Sequence, residues 1–345
     1  MTVVVKFGTS LIAGPGGRVR RSLVRARAAE IAQLVRGGEH VCVVSSGAIA
    51  LGLARLGLDR RPRSLPKLQA ASALGQARLQ ALWDAELGRA GAQAAQVLLT
   101  AGDVADRRAY VNVRGTLDAI FRLGAVPVVN ENDATATDEI TFGDNDVLAA
   151  QVAILVRARL LVLLTEVDGV YTRTPGEPGA ELLQEGSRAR EAVFGAGSPI
   201  GRGGMRSKVV AAEMTAAAGI ATVIAAGRGS SVLGPIVAGE GGGTRWPARE
   251  QAPAAFKLWL RFAKPPVGRL HVDAGARTAV AEQGATLLAA GVATCEGRFE
   301  SGDAVELVGP DGVAFAKGIA GASAGELAGR PHGVEAVHRD RLVVY

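Results

Sequence analysis

The chain has 345 residues, of which 48% are hydrophobic and 21% charged, with a formal net charge of +6. A chain of this length outgrows a single core, so one larger and one smaller domain are expected, and the composition excludes disordered and fibrous classes. Residues 254–345 carry ten Lys plus Arg and ten Asp plus Glu, so the positive excess belongs to the earlier part of the chain.

Met1-Thr2-Val3 enters a strand directly, with no basic leader or apolar signal core, so a cytoplasmic location is expected. Val3 to Lys6, Val41 to Val44, Gln96 to Leu99, Val126 to Asn130, Leu160 to Leu164 and Thr222 to Ala225 read as strands. Apolar stretches such as Leu160 to Leu164 are far shorter than the roughly 20 residues that span a bilayer, so no membrane association is expected. Between the strands, Ser22 to Val35, Pro66 to Leu87, Asn145 to Val156 and Met205 to Ala217 read as helices. Arginines between Arg18 and Lys67 are scattered among alanines and leucines and describe solvated helix faces. This βα alternation predicts an α/β fold, a three-layer αβα sandwich around a mainly parallel sheet, with ligands at the carboxyl ends of the strands.

The pattern changes at Gly239-Glu240-Gly241-Gly242-Gly243-Thr244, followed by Pro247 and Pro253. A first domain over 1–240, a linker over 241–253 and a small β-rich domain over 254–345 are expected. Turn signals at Pro265-Pro266, Gly302-Asp303 and Pro310-Asp311-Gly312 punctuate the last of these. Cys42 and Cys295 lie far apart with no histidine nearby and read as inert thiols rather than metal ligands.

Neither a P-loop nor a strand-linked G-x-G-x-x-G occurs. His338-Arg339-Asp340 matches the start of a protein-kinase catalytic loop, but the position that needs asparagine is Tyr345, so the match is discarded. Four strand exits remain. Val3-Val4-Val5-Lys6-Phe7-Gly8 ends a buried strand in a lysine, which calls for an anion, and in a glycine that permits close approach. Val43-Val44-Ser45-Ser46-Gly47 offers hydroxyls and a helix start to a carboxylate or phosphate, although an N-cap explains the serines equally well. Asn130-Glu131-Asn132-Asp133 and Asp144-Asn145-Asp146 gather four acids and three amides, which need a substrate ammonium, Mg²⁺ or lysines as compensation. Gly201-Arg202-Gly203-Gly204-Met205-Arg206-Ser207-Lys208 brings backbone amides and a cation to a helix start, as a polyphosphate requires. Leu163 to Tyr171 adds a strand and turn suited to a nucleotide's base and ribose.

In their order and spacing, Ser45-Ser46-Gly47-Ala48-Ile49-Ala50, Val129 to Asp133, Gly143-Asp144-Asn145-Asp146 and Gly203-Gly204-Met205 resemble the amino acid kinase family. Within it they resemble the branch that phosphorylates the γ-carboxylate of L-glutamate at the start of proline biosynthesis, and the resemblance covers essentially the whole chain. It implies ATP and Mg²⁺ as cofactors, the metal being held mainly by ATP phosphates. It places Lys6 and Lys208 on those phosphates, with Asp146 holding the lysines, and Ser46, Asp133 and Asn145 on glutamate. Thr165, Glu166, Arg202, Gly203, Gly204, Met205, Arg206, Ser207 and Lys208 would surround the nucleotide. The family often has aspartate where Glu166 stands and threonine where Arg202 stands, which bears on side-chain contacts rather than backbone ones. A dimer or tetramer, feedback by proline and coupling to the downstream reductase are also implied.

Lys264-Pro265-Pro266-Val267-Gly268, His271 to Ala276 and Ala336 to Asp340 resemble a PUA domain, a module known for binding RNA. Phosphate contacts dominate RNA affinity, so the balanced charge there points to a structural or regulatory role instead. Acetylglutamate kinase and aspartokinase are the neighbouring alternatives, disfavoured by the Asn130 to Asp133 cluster. A non-catalytic RNA-binding or regulatory protein is disfavoured by the retained lysines.

Overall fold

Thr2–Phe7 (β1) is buried at every position but its first, a pattern stable only where both faces of a sheet are covered. The same holds for His40–Ser45 (β2), Val126–Glu131 (β4) and Leu160–Thr165 (β5), with Ala94–Leu99 (β3) less buried. A short hairpin, Val170–Tyr171 (β6) with Leu182–Leu183 (β7), precedes Ala221–Ala226 (β8) and Thr244–Trp246 (β9). The expected strands are therefore present, each extended at one or both ends. The computed structural model describes residues 1–58, 60–136, 144–192, 204–249, 254–329 and 331–345.

Among the described residues seven strands form one sheet in the order β3-β4-β2-β1-β5-β8-β9, parallel except for β9. The chain lays β2 and β4 on one side of β1 and then crosses to β5 on the other. That reversal opens a crevice at the carboxyl end of β1, where ligands bind in open parallel sheets. The pairing keeps the strand exits level: Lys6 lies beside Val44 and Leu163, and Val44 beside Val129.

Helices cover both faces. In chain order they are Thr9–Ile12 (α1), Arg21–Arg36 (α2), Ala48–Arg55 (α3), Leu65–Arg89 (α4), Ala101–Ala105 (α5), Arg107–Arg122 (α6), Asp144–Leu155 (α7), Met205–Ala217 (α8) and Leu233–Ala238 (α9). Val3, Val5 and Phe7 face a core built with Val24, Ala28 and Ile31 of α2, Leu79 and Trp83 of α4, and Leu233 and Ile236 of α9. Because side chains alternate along a strand, Val4 and Lys6 face the other way, toward α7 and α8. Helix α6, which the sequence reading did not single out, starts at Asp106, whose carboxylate accepts from the amides of Arg108 and Ala109.

Helices α3 and α4 meet backbone to backbone. A Cβ on Gly52 would stand 1.7 Å from the Ala71 carbonyl oxygen, and one on Gly75 1.8 Å from that of Ala48, so only glycine fits at either position. This contact fixes α4 against the turn that follows β2.

The expected linker needs correction. Thr244–Trp246 pairs antiparallel with β8, so the first part of 241–253 closes the sheet edge instead of spanning free; Trp246 is buried and Thr244 holds the Val170 amide. Glycines obscured this strand because Gly243 adopts φ +113 against Ile224, where a Cβ would lie 2.4 Å from a carbonyl oxygen.

The chain divides into the compact units Met1–Ala252 and Pro253–Tyr345. The second has a six-stranded sheet built from Gly268–Val272 (β10), Leu287–Leu288 (β11), Val292–Gly297 (β12), Ala304–Val308 (β13), Ala314–Ala320 (β14) and Glu335–Val344 (β15). Ala255–Phe262 (α10), Ala274–Gln283 (α11) and Ala324–Ala328 (α12) accompany it. Lys317 is buried here and donates to the carbonyls of Arg261 and Lys264, closing the end of α10. Burial lowers its ammonium to about 8. Cys42 is buried in the first unit, and burial raises its thiol, which suits an inert role; Cys295 is half-buried.

Candidate active site

Strand parity sends Lys6 to the face covered by α7 and α8, and the first turns of those helices carry Asp146 and Lys208. The result is a buried three-residue cluster. Lys6 Nζ lies 2.6 Å from Asp146 Oδ1, and Lys208 Nζ lies 3.1 Å from Asp146 Oδ2. The Ser207 hydroxyl donates to Asp146 Oδ2 at 2.7 Å, with the Gly204 carbonyl at 2.8 Å as its alternative acceptor. Exposure is 4% for Lys6, 0% for Asp146 and 5% for Lys208.

Burial alone would raise the Asp146 carboxyl, but Lys6, Lys208 and the Ser207 hydroxyl overcome it and hold the group down at about 2. Asp146 is therefore ionised. Burial lowers the Lys6 ammonium, opposed by Asp146 and reinforced by Lys208. Two lysines thus share one buried carboxylate, an arrangement whose second positive charge an incoming polyanion would balance. A Cβ on Gly8 would lie 3.9 Å from Lys6 Nζ, so the backbone just beyond β1 leaves room beside the lysine.

A second polar cluster lies at the exits of β2 and β4. The two serines after β2 have different tasks. Ser45 is fully buried and accepts from the Trp83 indole at 2.9 Å, whereas Ser46 accepts from Asn145 Nδ2 at 2.9 Å. The same Nδ2 donates to Asn130 Oδ1 at 3.0 Å, and Asn130 Nδ2 donates to Gln76 Oε1 at 2.7 Å. Gly47 turns the chain into α3 at φ +118. Asp133 is buried and accepts a very short hydrogen bond from the Ser72 hydroxyl. Burial raises its carboxyl above the usual range, and the Ser72 hydroxyl and the charge of Arg61 offset that only in part. Asp146, Asn145 and Ser46 are thus joined through α7, which links the lysine cluster to the amide cluster.

A family profile described as the amino acid kinase family matches residues 1–226. The chain belongs to the amino acid kinase family. A second profile, the PUA domain, matches residues 268–339 of this kinase. A glutamate 5-kinase from Geobacter sp. (strain M21) is 41% identical over 99% of this chain and 97% of its own length. One from Gloeobacter violaceus is 44% identical over 99% of both chains, and one from Sphingopyxis alaskensis 45% identical over 92% of this chain and 86% of its own. A solved isopentenyl phosphate kinase shares the fold with a TM-score of 0.52 at 21% identity, over 71% of this chain and 99% of that one.

On the expected nucleotide side of this amino acid kinase, Thr165 ends β5 and its carbonyl accepts from the Gly227 amide at 2.8 Å. Glu166 is exposed, and its carboxylate is taken by two arginines: Arg20 at 3.5 Å and Arg228 in closer contact. Gly204, Met205, Arg206 and Ser207 open α8, with Arg206 pointing to solvent. Arg202, Gly203 and Gly143 lie outside the described residues.

The sequence reading missed three residues of α4. Gln69 donates to the Ala136 carbonyl at 3.0 Å, Ser72 to Asp133, and Gln76 accepts from Asn130. Their spacing places them on one stripe of the helix, facing the exit of β4. A serine and two glutamines in a long helix look like solvent-facing residues; the readable signal was the neighbouring Ala71 and Gly75, small enough to mark a close crossing.

Among the described residues no helix is long and apolar enough to cross a membrane, and no group of three or more His, Cys, Asp or Glu side chains could hold a metal ion.

Proposed function

We propose that this amino acid kinase transfers the γ-phosphoryl group of ATP to the side-chain carboxylate of L-glutamate, the first step of proline biosynthesis. The observation that carries the reading is the pair of buried lysines on Asp146, joined through α7 to the Asn145 and Asp133 cluster. Relatives named glutamate 5-kinase at 41% to 45% identity support the choice of acceptor.

A free glutamate side chain has a pKa near 4.3, so the nucleophile is ionised at neutral pH and needs no general base. One carboxylate oxygen forms a bond to the γ-phosphorus as the bond to the ADP oxygen breaks, leaving γ-glutamyl phosphate and ADP. The obstacle is bringing an anion to a polyanion. Lys6 and Lys208 would offset the charge on the transferred group from fixed positions, and Asp146 would keep both ammonium groups aimed there. Each Asp146 oxygen faces a lysine ammonium, so the phosphates rather than this carboxylate would carry the metal. Mg²⁺ supplies further neutralisation of the phosphate oxygens when bound. Asp133 would take the substrate ammonium, for which an acceptor-only carboxylate is the fitting partner, with Asn145 and Ser46 completing that end. Thr165, Glu166 and the segment from Arg202 to Lys208 would border the nucleotide, chiefly through backbone groups. The same reading extends to a dimer or tetramer, to inhibition by proline at the glutamate site, to coupling with the downstream reductase, and to a structural or regulatory role for the PUA domain.

Trapping the acyl phosphate with hydroxylamine, in parallel reactions of ATP and Mg²⁺ with glutamate, aspartate or N-acetylglutamate, tests this. Hydroxamate should form with glutamate and not with the other two. Signal with another acid would reassign the acceptor, and no signal with any acid would remove the catalytic reading.

A further inference from the structure

The amide cluster has a direction. Asn145 spends its Nδ2 on two acceptors, Ser46 Oγ and Asn130 Oδ1, and its Oδ1 is buried without a hydrogen-bond partner among the described residues. A buried acceptor left unpaired is costly and marks a place where a donor is missing. What fixes this direction lies one step further back: Asn130 can present Oδ1 to Asn145 because its own Nδ2 is held by Gln76 Oε1. Reversing Gln76 would turn each amide in the chain and leave Asn145 offering N–H groups instead.

We infer that Gln76, a residue of α4, is a specificity-determining positioning residue: through Asn130 it sets Asn145 to present an acceptor, so that the site accepts an ammonium donor alongside Asp133. This rests on the proposed glutamate reading and deepens it. Three features favour it over a packing role. Gln76 is only half-buried, so the core does not require it. It shares its stripe with Ser72, whose hydroxyl holds Asp133, so one helix face governs both acceptors. That face is anchored by the Gly75 contact with Ala48, which leaves α4 little freedom to shift away from the site. With Asp133 as an anion and Asn145 as a neutral acceptor, the pair favours a primary ammonium over an N-acyl amide, which carries one N–H and no charge.

The experiment measures steady-state kinetics of the parent, Gln76→Met and Gln76→Glu, with competition by glutarate, the same dicarboxylate without an ammonium. Gln76→Met should raise the glutamate KM by about tenfold, the loss expected for one mis-set buried hydrogen bond, with kcat and the ATP KM changed less than about twofold. Gln76→Glu keeps an acceptor for Asn130 and should return the glutamate KM to within about threefold of the parent. Inhibition by glutarate should be nearly the same in all three proteins. A glutamate KM in Gln76→Met equal to the parent's, no rescue by Gln76→Glu, or an equal loss for glutarate overturns the inference. If Gln76→Met does not fold, Gln76→Ala takes its place. An inactive parent removes the functional reading and this inference together, whereas an active parent indifferent to Gln76 removes the inference alone.

Discussion

Asp146 and Asp133 are both buried carboxylates at the same edge of one sheet, yet the fold treats them in opposite ways. Asp146 receives two lysines and a serine hydroxyl, and its carboxyl is held down at about 2. Asp133 receives one serine hydroxyl and a more distant arginine charge, and its carboxyl is pushed up. A fully compensated anion belongs to the protein's own architecture. An under-compensated one keeps part of its burial cost, which a cationic ligand would offset. Under the proposed function, the contrast separates an end that would supply charge for the reaction from an end that would select the substrate.

The sharpest way to break this division is at the lysines. Lys6→Ala or Lys208→Ala should lower kcat by at least about 100-fold, as expected for losing a charge contact made in the transition state. Near-normal turnover in either purified variant would end that assignment. At the other end, Asp133→Ala should raise the glutamate KM by roughly 30-fold or more, the consequence of about 2 kcal/mol lost from a buried charge pair, and leave the ATP KM nearly unchanged. Equal weakening of both substrates would identify a structural defect instead.

Much of this was legible in the sequence. The strands, their order along the chain and the polar exits could be read because aliphatic runs end in Gly, Ser, Asn or Asp clusters. Helix α8 begins and ends where its pattern said it would. The meeting of Lys6, Asp146 and Lys208 could not be read from spacing. Val3 to Phe7 is apolar on both faces, so nothing in it reveals which face Lys6 takes; parity and the placement of α7 and α8 decide that. Gln69, Ser72 and Gln76 stayed hidden because a polar stripe on a helix looks the same whether it faces water or a strand exit. Strand β9 was concealed by the glycines that allow it to turn back.

Two smaller effects sharpen the comparison. Gly75→Ala would place a Cβ 1.8 Å from the Ala48 carbonyl, so α4 must move. That overpacking should cost about 1–3 kcal/mol and lower the Tm by several degrees, and by shifting Ser72 it should raise the glutamate KM more than the ATP KM. Unchanged thermal stability would show that α3 and α4 have slack. Glu166→Ala should be the mildest: its carboxylate serves two partly exposed arginines, so the ATP KM should change by less than about threefold. A much larger loss would give the Glu166 side chain a direct part in nucleotide binding.

The most direct test is the thermal stability of Asp146→Asn against Asp133→Asn in the ligand-free protein at neutral pH. Asp146→Asn leaves two buried lysines without their anion and should destabilise by about 3–5 kcal/mol. Asp133→Asn keeps an acceptor for Ser72 while removing an under-compensated charge, so it should leave Tm unchanged or raise it. The signs follow from linkage. A lowered carboxyl stabilises at pH above the ordinary value near 3.9 and loses that contribution as pH falls toward about 2, whereas a raised one costs stability as pH climbs from 3.9 through its own higher value. Opposite outcomes for the two variants are the predicted result; a similar fall in Tm for both would contradict the division of the site.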